Sequence, residues 1–170
     1  MPLDKIKSLL ERGGFECQIS SSEETDPNRL CVLLDPDPQK RTRMLEIRIT
    51  PQKIGPGAVI TDPHSLPHRI QFHVRLPFSV RDMALRQVGS LLLFLNPCLD
   101  VPGFELDEVQ SRVIYRYVWI AYPSAVDYAV VMSMISVIML NISLFSETIE
   151  SLANGKTSFC DLLTELTQTF

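Results

Sequence analysis

The sequence MLEIRIT at residues 44–50 alternates apolar and polar side chains, and IQFHVRL at residues 70–76 repeats the alternation. A period of two is typical of strands that bury one face and expose the other to water, as in antiparallel sheets. Glu46 and Arg48 are therefore expected on the wet face. These two stretches predict two strands of an antiparallel sheet.

Further strands are predicted on both sides of this pair. They cover residues 15–19, 30–34, 104–107 and 112–120, with the first of them the weakest. The strands come in runs rather than alternating singly with helices, which indicates an α+β fold. We expect an antiparallel sheet of about five strands packed with helices, in the order α-β-β-β-α-β-β-α plus a short C-terminal helix.

Apolar spacing of three and four residues predicts the helices. The first covers residues 3–12, and Gly13 and Gly14 follow it. Ser79 and Asp82 have the spacing of a capping box, which predicts that the second helix begins at Ser79 and runs to Leu95. A long helix is expected to end near residue 153, and a short one follows at 159–167.

The chain length favours a single α+β domain over residues 1–170. Residues 51–67 hold four prolines and two glycines and are expected to form a long loop. Residues 156–170 are expected to form a C-terminal helical extension.

Charge is unevenly divided along the chain, whose net charge is −4. Residues 1–96 contain 13 Lys and Arg against 11 Asp and Glu, whereas residues 97–170 contain 3 against 9. A nucleic-acid-binding protein needs a concentrated basic surface to neutralise phosphates. No such stretch is visible, so nucleic-acid binding is not expected.

One segment approaches the length of a membrane span. Residues 128–145 contain no charge, but serines and Asn141 recur through them, and Asp127 and Glu147 flank them without a basic residue. Basic flanks and steadier hydrophobicity are usual for spans. We therefore expect a core helix buried on most of its faces, and no membrane span.

The residues near the N-terminus and the cysteines both favour the cytoplasm. No apolar segment of the kind found in signal peptides follows the charged residues 4–7. The four cysteines lie far apart in sequence, which favours free thiols in a reducing compartment.

No catalytic, cofactor or metal site is predicted. His64, His68 and His73 form the only histidine cluster, but Pro63 and Pro67 make a helical register unfavourable there. No serine or cysteine lies in a recognisable nucleophile motif, and no glycine-rich phosphate loop joins a strand to a helix. We expect neither an enzyme nor a cofactor.

The strand at 112–120 is apolar on both faces. Its outer row contains Ile114, Arg116, Val118 and Ile120, and a strand with one wet face would not need these three aliphatic side chains. Arginine mixed with apolar residues is common at binding surfaces. This row is the candidate surface for a partner or for a homodimer.

Three segments carry a resemblance to known proteins. They are LNP at residues 95–97, PGFELD at 102–107 and RVIYRY at 112–117, followed by the long apolar helix. The pattern resembles the YbjN-like family and, more loosely, the type III secretion chaperone fold. The resemblance implies a small acidic bacterial protein, often dimeric, that binds a polypeptide or assists a regulator, without a cofactor.

The preferred hypothesis is a cytoplasmic, non-catalytic protein-binding module, expected as a homodimer, with a protein client or regulator as its partner. Strand addition at a sheet edge and a helix laid in a groove are both open as binding modes. Three alternatives also remain. The chain could be a small-molecule-responsive regulatory domain with residues 51–67 as a lid, a small hydrolase or transferase, or a subunit stable only with another chain.

Overall fold

The computed structural model describes residues 3–20, 29–52, 66–122 and 127–168, except for the side chains of Tyr128 and residues 166–168. Within these residues it confirms an α+β fold with an antiparallel sheet. The sheet has six strands rather than about five, because the weakly predicted first strand is formed and pairs with the second. The strand order is β1-β2-β3-β4-β6-β5. The strands are β1 Cys17–Ser20, β2 Arg29–Leu34, β3 Arg43–Pro51, β4 His68–Ser79, β5 Phe104–Asp107 and β6 Arg112–Ala121.

Four α-helices accompany the sheet in the described part of the chain. They are α1 Leu3–Arg12, α2 Leu85–Leu95, α3 Tyr128–Ala153 and α4 Phe159–Gln168. The predicted start of the second helix at Ser79 is wrong, since Ser79 ends β4. A 3₁₀ turn at Asp82–Ala84 comes before α2, and no side chain caps that turn. The strand continues for three residues beyond its predicted end at residue 76, and this pairing outweighed the local capping signal.

The chain divides into two compact units. The first contains residues 1–74 and 117–135, and the second contains residues 75–116 and 136–170. Strands β4 and β6 and helix α3 therefore contribute residues to both. The organisation as a single domain stays a prediction. Most of the loop predicted at 51–67 lies outside the described residues.

The core of the first unit follows from the period-two pattern. Alternate side chains of β2, β3 and β4 are buried, and α1 adds Ile6 and Leu10, which are fully buried. Helix α1 lies against β1 and β2. Trp119, the only tryptophan of the chain, is half-buried on β6 within this unit.

The opposite face of β3 is less exposed to solvent than the alternating pattern predicted. Glu46 is only 7% exposed, because its carboxylate lies between the guanidinium groups of Arg29, at 3.4 Å, and Arg48, at 3.2 Å. Arg29 and Arg48 face each other in the strand register. Like charges directly opposite in a sheet repel, and the buried carboxylate offsets this repulsion.

The turn between β2 and β3 is built on Asp37. Its buried carboxylate accepts hydrogen bonds from the Arg41 backbone N–H at 2.7 Å and from Arg41 Nε at 2.5 Å. Burial raises the pKa of the Asp37 carboxyl, but the bonds from Arg41 outweigh burial and leave that pKa below its ordinary value. The carboxylate form is therefore stabilised by folding.

The core of the second unit is made by α2, β5, β6 and the later turns of α3. Val88, Leu91, Leu92 and Leu95 of α2 are buried. The same core contains the buried aromatic residues Phe104 and Tyr115, whose rings are arranged edge to face with their centroids 4.9 Å apart. Such edge-to-face pairs add to the stabilisation from burial alone.

The side chain of Asn96, which follows α2, is hydrogen-bonded to the backbone at the start of β5. Its side-chain oxygen accepts from the N–H groups of Gly103, at 3.4 Å, and Phe104, at 3.0 Å, and its amide nitrogen donates to the Phe104 carbonyl at 2.8 Å. A Cβ on Gly103 would lie 2.6 Å from the Arg116 carbonyl oxygen. The segments that carry the sequence resemblance thus have structural roles at this junction.

A buried polar contact holds α3 in the second unit. The Tyr115 hydroxyl donates to the Val101 carbonyl, and the Asn141 amide donates to the Tyr115 hydroxyl oxygen at 3.0 Å and to the Val101 carbonyl at 3.3 Å. Tyr115 is fully buried and Asn141 is 7% exposed. Buried polar groups need such partners, so this contact sets the orientation of α3 about its axis.

Helix α3 is more exposed than we expected from the sequence, which predicted a core helix buried on most of its faces. Residues 129–153 are long and apolar enough to cross a membrane, since their most apolar 18-residue window has a mean hydropathy of 2.1, and no other helix in the described part of the chain meets these criteria. One third of the most apolar window is buried. The exposed stripe in the second unit includes Leu140, at 56%, and Leu144, at 59%.

Candidate functional site

An apolar groove in the second unit lies between three helices. Its volume is about 350 Å³. Six of its eight lining side chains are apolar, and Thr148 and Glu165 are the polar ones. The lining consists of Leu91, Phe94 and Leu95 from α2, Leu144, Phe145 and Thr148 from α3, and Leu162 and Glu165 from α4.

The groove has a buried floor and an exposed rim. Leu91 and Leu95 are at most 8% exposed, whereas Phe94 is 41% and Leu144 is 59% exposed. Leu140 is not among the lining residues, but it precedes Leu144 by four residues, which places it next to the rim on the same side of α3. The rim therefore offers large apolar side chains to solvent next to a concave surface, as binding sites for proteins often do.

Three sets of contacts fix the walls of the groove. The hydrogen bond between Asn141 and Tyr115 orients α3. Phe145, on the wall itself, meets the ring of Phe104 edge to face at 6.3 Å. The α2 wall is joined to α4 by the Phe94 and Phe159 rings, whose centroids are 6.2 Å apart.

Helix α4 begins with a capping box that was not predicted from the sequence. The Asp161 carboxylate accepts from the Ser158 N–H at 3.0 Å and from its hydroxyl at 2.6 Å, and the Ser158 hydroxyl accepts from the Asp161 N–H at 3.2 Å. The hydrogen bond from the Ser158 hydroxyl is the main cause that lowers the pKa of Asp161. The next N–H, of Phe159, donates to the Gln87 side chain at 3.0 Å.

The charge around the groove is negative. Glu165 is an exposed residue of the lining, and the exposed Glu147 follows Leu144 by three residues on α3. No lysine or arginine is among the eight lining residues. This agrees with the surplus of acidic residues over residues 97–170.

The row predicted on β6 does not lie at the groove. In the second unit, Ile114 and Arg116 are half-buried, and Arg116 forms a two-pronged ion pair with Glu105 of β5, with Nη2 2.6 Å and Nε 2.9 Å from Oε1. The hydrogen bond with Glu105 raises the pKa of Arg116. In the first unit, Val118 is half-buried and Ile120 is 55% exposed. The row stays a prediction as a partner or dimer surface.

The groove was missed because its walls come from distant parts of the sequence. The signal that was available is the run LLLFL at residues 91–95, where apolar residues cover more of α2 than one buried face requires. Leu93 and Phe94 are the exposed members of that run.

The cysteines and histidines do not form a reactive centre in the described part of the chain. Burial raises the pKa of the Cys17 and Cys31 thiols, so both favour the unreactive thiol form. His68 and His73 are five residues apart on β4 and so point to opposite faces of the sheet. His64 lies outside the described residues, and among those described no three His, Cys, Asp or Glu side chains cluster as metal ligands.

Two other cavities are more polar. One, of about 320 Å³ in the first unit, is lined by Glu16, Cys17, Gln18, Cys31, Leu33 and Met44. The other, of about 480 Å³ in the second unit, lies where α3 passes into α4 and includes Lys156, Ser158 and Asp161. Although Gly155-Lys156-Thr157 ends like a phosphate-binding loop, Glu150 stands where the first glycine of that motif belongs, and a helix precedes it instead of a strand.

Comparison with known proteins adds no family to this description. No protein-family model matches the chain. No curated protein sequence matches it significantly either.

Proposed function

We propose that this chain is a non-catalytic protein-binding module that holds or regulates a polypeptide partner through an apolar surface. The observation that carries the proposal is the groove of the second unit, where Phe94 and Leu144 are exposed above a buried floor. Aromatic and aliphatic side chains around a concave surface are the usual anchors of protein interfaces. The resemblance to YbjN-like proteins supports the same class of function, with a homodimer in the bacterial cytoplasm as its further expectation.

Of the two binding modes, the structure favours a helix laid in a groove. The strands at the two sheet edges, β1 and β5, are each four residues long. Short edge strands offer few backbone groups to an added strand. The groove, in contrast, is walled by helices with large apolar side chains on its rim, which suits an incoming helix.

The test compares one double variant and one single variant of the full chain. Leu140→Ser with Leu144→Ser removes the apolar rim of α3, while Val109→Ser removes a side chain that is 96% exposed in the β5–β6 turn. Substitutions at exposed positions usually change stability little. Circular dichroism and thermal melting establish that both proteins are folded before binding is compared.

We expect one protein from the host cell to co-purify in stoichiometric amount with the wild type and with Val109→Ser. The rim variant should lose it at least tenfold. Retention of the partner by the rim variant, together with its loss on Ile120→Asp, would move the binding surface to β6. A chain that retains no protein at all would refute the proposal.

A further inference from the structure

We infer that the groove accepts a basic amphipathic helix of about two turns, with aliphatic residues against Phe94 and Leu144 and lysine or arginine beside the groove. This inference rests on the proposed function and names the chemistry of the partner. It follows from the spacing of side chains on one side of α3 and from the charge around them.

The spacing of three side chains on one side of α3 favours a helical partner. Leu140, Leu144 and Thr148 follow one another at intervals of four residues along α3. Side chains in such a row form a ridge, and ridges of this kind pack into the grooves on the surface of another helix. An extended peptide would instead need free backbone groups of a strand, which a helix-walled groove does not supply.

The length of the row sets the length of the partner. Eight residues separate Leu140 from Thr148, which corresponds to about 12 Å along the helix axis, or roughly two turns. A helix crossing this distance presents anchors at positions i, i+4 and i+7. The groove volume of about 350 Å³ suits a few aliphatic side chains.

The negative charge near the α3 row determines which charged residues the partner should carry beside its apolar anchors. Glu147 and Glu165 are both exposed, one on α3 beside Leu144 and one on α4 in the groove lining, and the lining contains no basic residue. A partner with acidic flanks would meet like charges there, which disfavours association. Each exposed ion pair improves affinity by roughly twofold to fivefold, so two pairs give about tenfold.

The test uses three fluorescein-labelled synthetic peptides of 14 residues. The first has leucines at helical spacing of three and four with lysines elsewhere, and the second replaces every lysine with glutamate. The third has the composition of the first in an order without helical periodicity, so it controls for attraction by charge alone. Fluorescence anisotropy with the full chain measures each dissociation constant at low and at physiological salt.

We expect the periodic lysine peptide to bind at least tenfold more tightly than either of the other two. Leu140→Ser with Leu144→Ser should abolish this binding, and Val109→Ser should not affect it. Glu147→Gln with Glu165→Gln should weaken it about tenfold. The matched pair Asp100→Asn with Glu108→Gln, which removes two exposed charges elsewhere in the second unit, should leave it within twofold.

Several results would overturn the inference and leave the proposed function standing. Equal or tighter binding of the glutamate peptide would refute the basic partner. Lysine-peptide binding that survives loss of the α3 rim would place the site elsewhere. If light scattering showed a dimer that only the rim variant dissociates, the occupant would be a second copy of the chain. A native partner lost by the rim variant, without binding of any peptide, would mean that the partner is not a simple helix.

Discussion

The contact between Tyr115 and Asn141 allows a quantitative test of how α3 packs. The perturbations are Tyr115→Phe, Asn141→Leu and the double variant. Each single variant removes the bond between the amide and the hydroxyl, while the Val101 carbonyl keeps one donor, from Asn141 or from Tyr115. A buried neutral hydrogen bond contributes about 1 kcal/mol net. We expect each single variant to lower the free energy of unfolding by about 1–2 kcal/mol.

The double variant separates this contact from the other losses. The double variant also removes both donors of the Val101 carbonyl, and because Val101 is half-buried we expect water to replace them. The bond between the amide and the hydroxyl can be lost only once, so the double variant should be about 1 kcal/mol more stable than the sum of the two single effects predicts. Urea unfolding followed by far-UV circular dichroism measures all four free energies. The experiment is done in aqueous buffer without detergent, so a coupling of this size also shows that α3 packs inside the second unit in water.

A coupling below about 0.3 kcal/mol would refute this reasoning, since contacts this close should not be additive. It would mean that the Asn141 amide and the Tyr115 hydroxyl do not meet in solution. The orientation of α3, and with it the α3 wall of the groove, would then be wrong.

Three more predictions concern stability. Gly103→Ala should destabilise the protein by about 1–3 kcal/mol in urea unfolding, because its Cβ would overlap the Arg116 carbonyl. Gly89→Ala in α2, whose Cβ would make only ordinary contact with the Leu106 side chain, should be neutral or stabilising by up to about 1 kcal/mol, and equal effects of the two alanines would contradict the geometry. Asp37→Asn should be less stable than the wild type above the ordinary carboxyl pKa of about 4, and this difference should shrink as the pH falls through the lowered folded pKa, which thermal melts from pH 2 to 7 can follow. Ser158→Ala should speed amide hydrogen exchange in α4 while exchange in α2 is unchanged, and unaltered exchange in α4 would argue against the capping box.

Strand β3 and the centre of β4 were predictable because their apolar side chains repeat every two residues. Leu45, Ile47, Ile70, Phe72 and Val74 are all buried, as the alternation requires. Strand β1 gave only a weak signal, since four residues contain too few repeats to define a period.

The start of α2 was not predictable from its capping signal. Ser79 and Asp82 have the right spacing, but a capping box forms only if the backbone between them is helical. Pairing within the sheet keeps Ser79 extended instead, and Met83, four residues further on, is 84% exposed. Tertiary pairing of this kind is not encoded in a four-residue motif.

The groove depends on residues that lie up to about 70 positions apart in sequence. Leu91, Leu144 and Leu162 each belong to a different helix, and the sequence of one helix does not show which other helices it meets. The buried Glu46 was unpredictable for a similar reason, because Arg29 and Arg48 cover it from two strands. Sequence periodicity shows which face of an element is apolar, but not which faces meet.

The single tryptophan of the chain is a natural reporter for one half of the molecule. Trp119 belongs to the first unit, whereas Tyr115 and Asn141 belong to the second. Its fluorescence therefore follows the surroundings of the first unit, while far-UV circular dichroism averages over both. If the two signals change at the same urea concentration, the units unfold together as one cooperative domain. Separate transitions would identify two folding units, and substitutions in the groove would then move only the transition that tryptophan does not report.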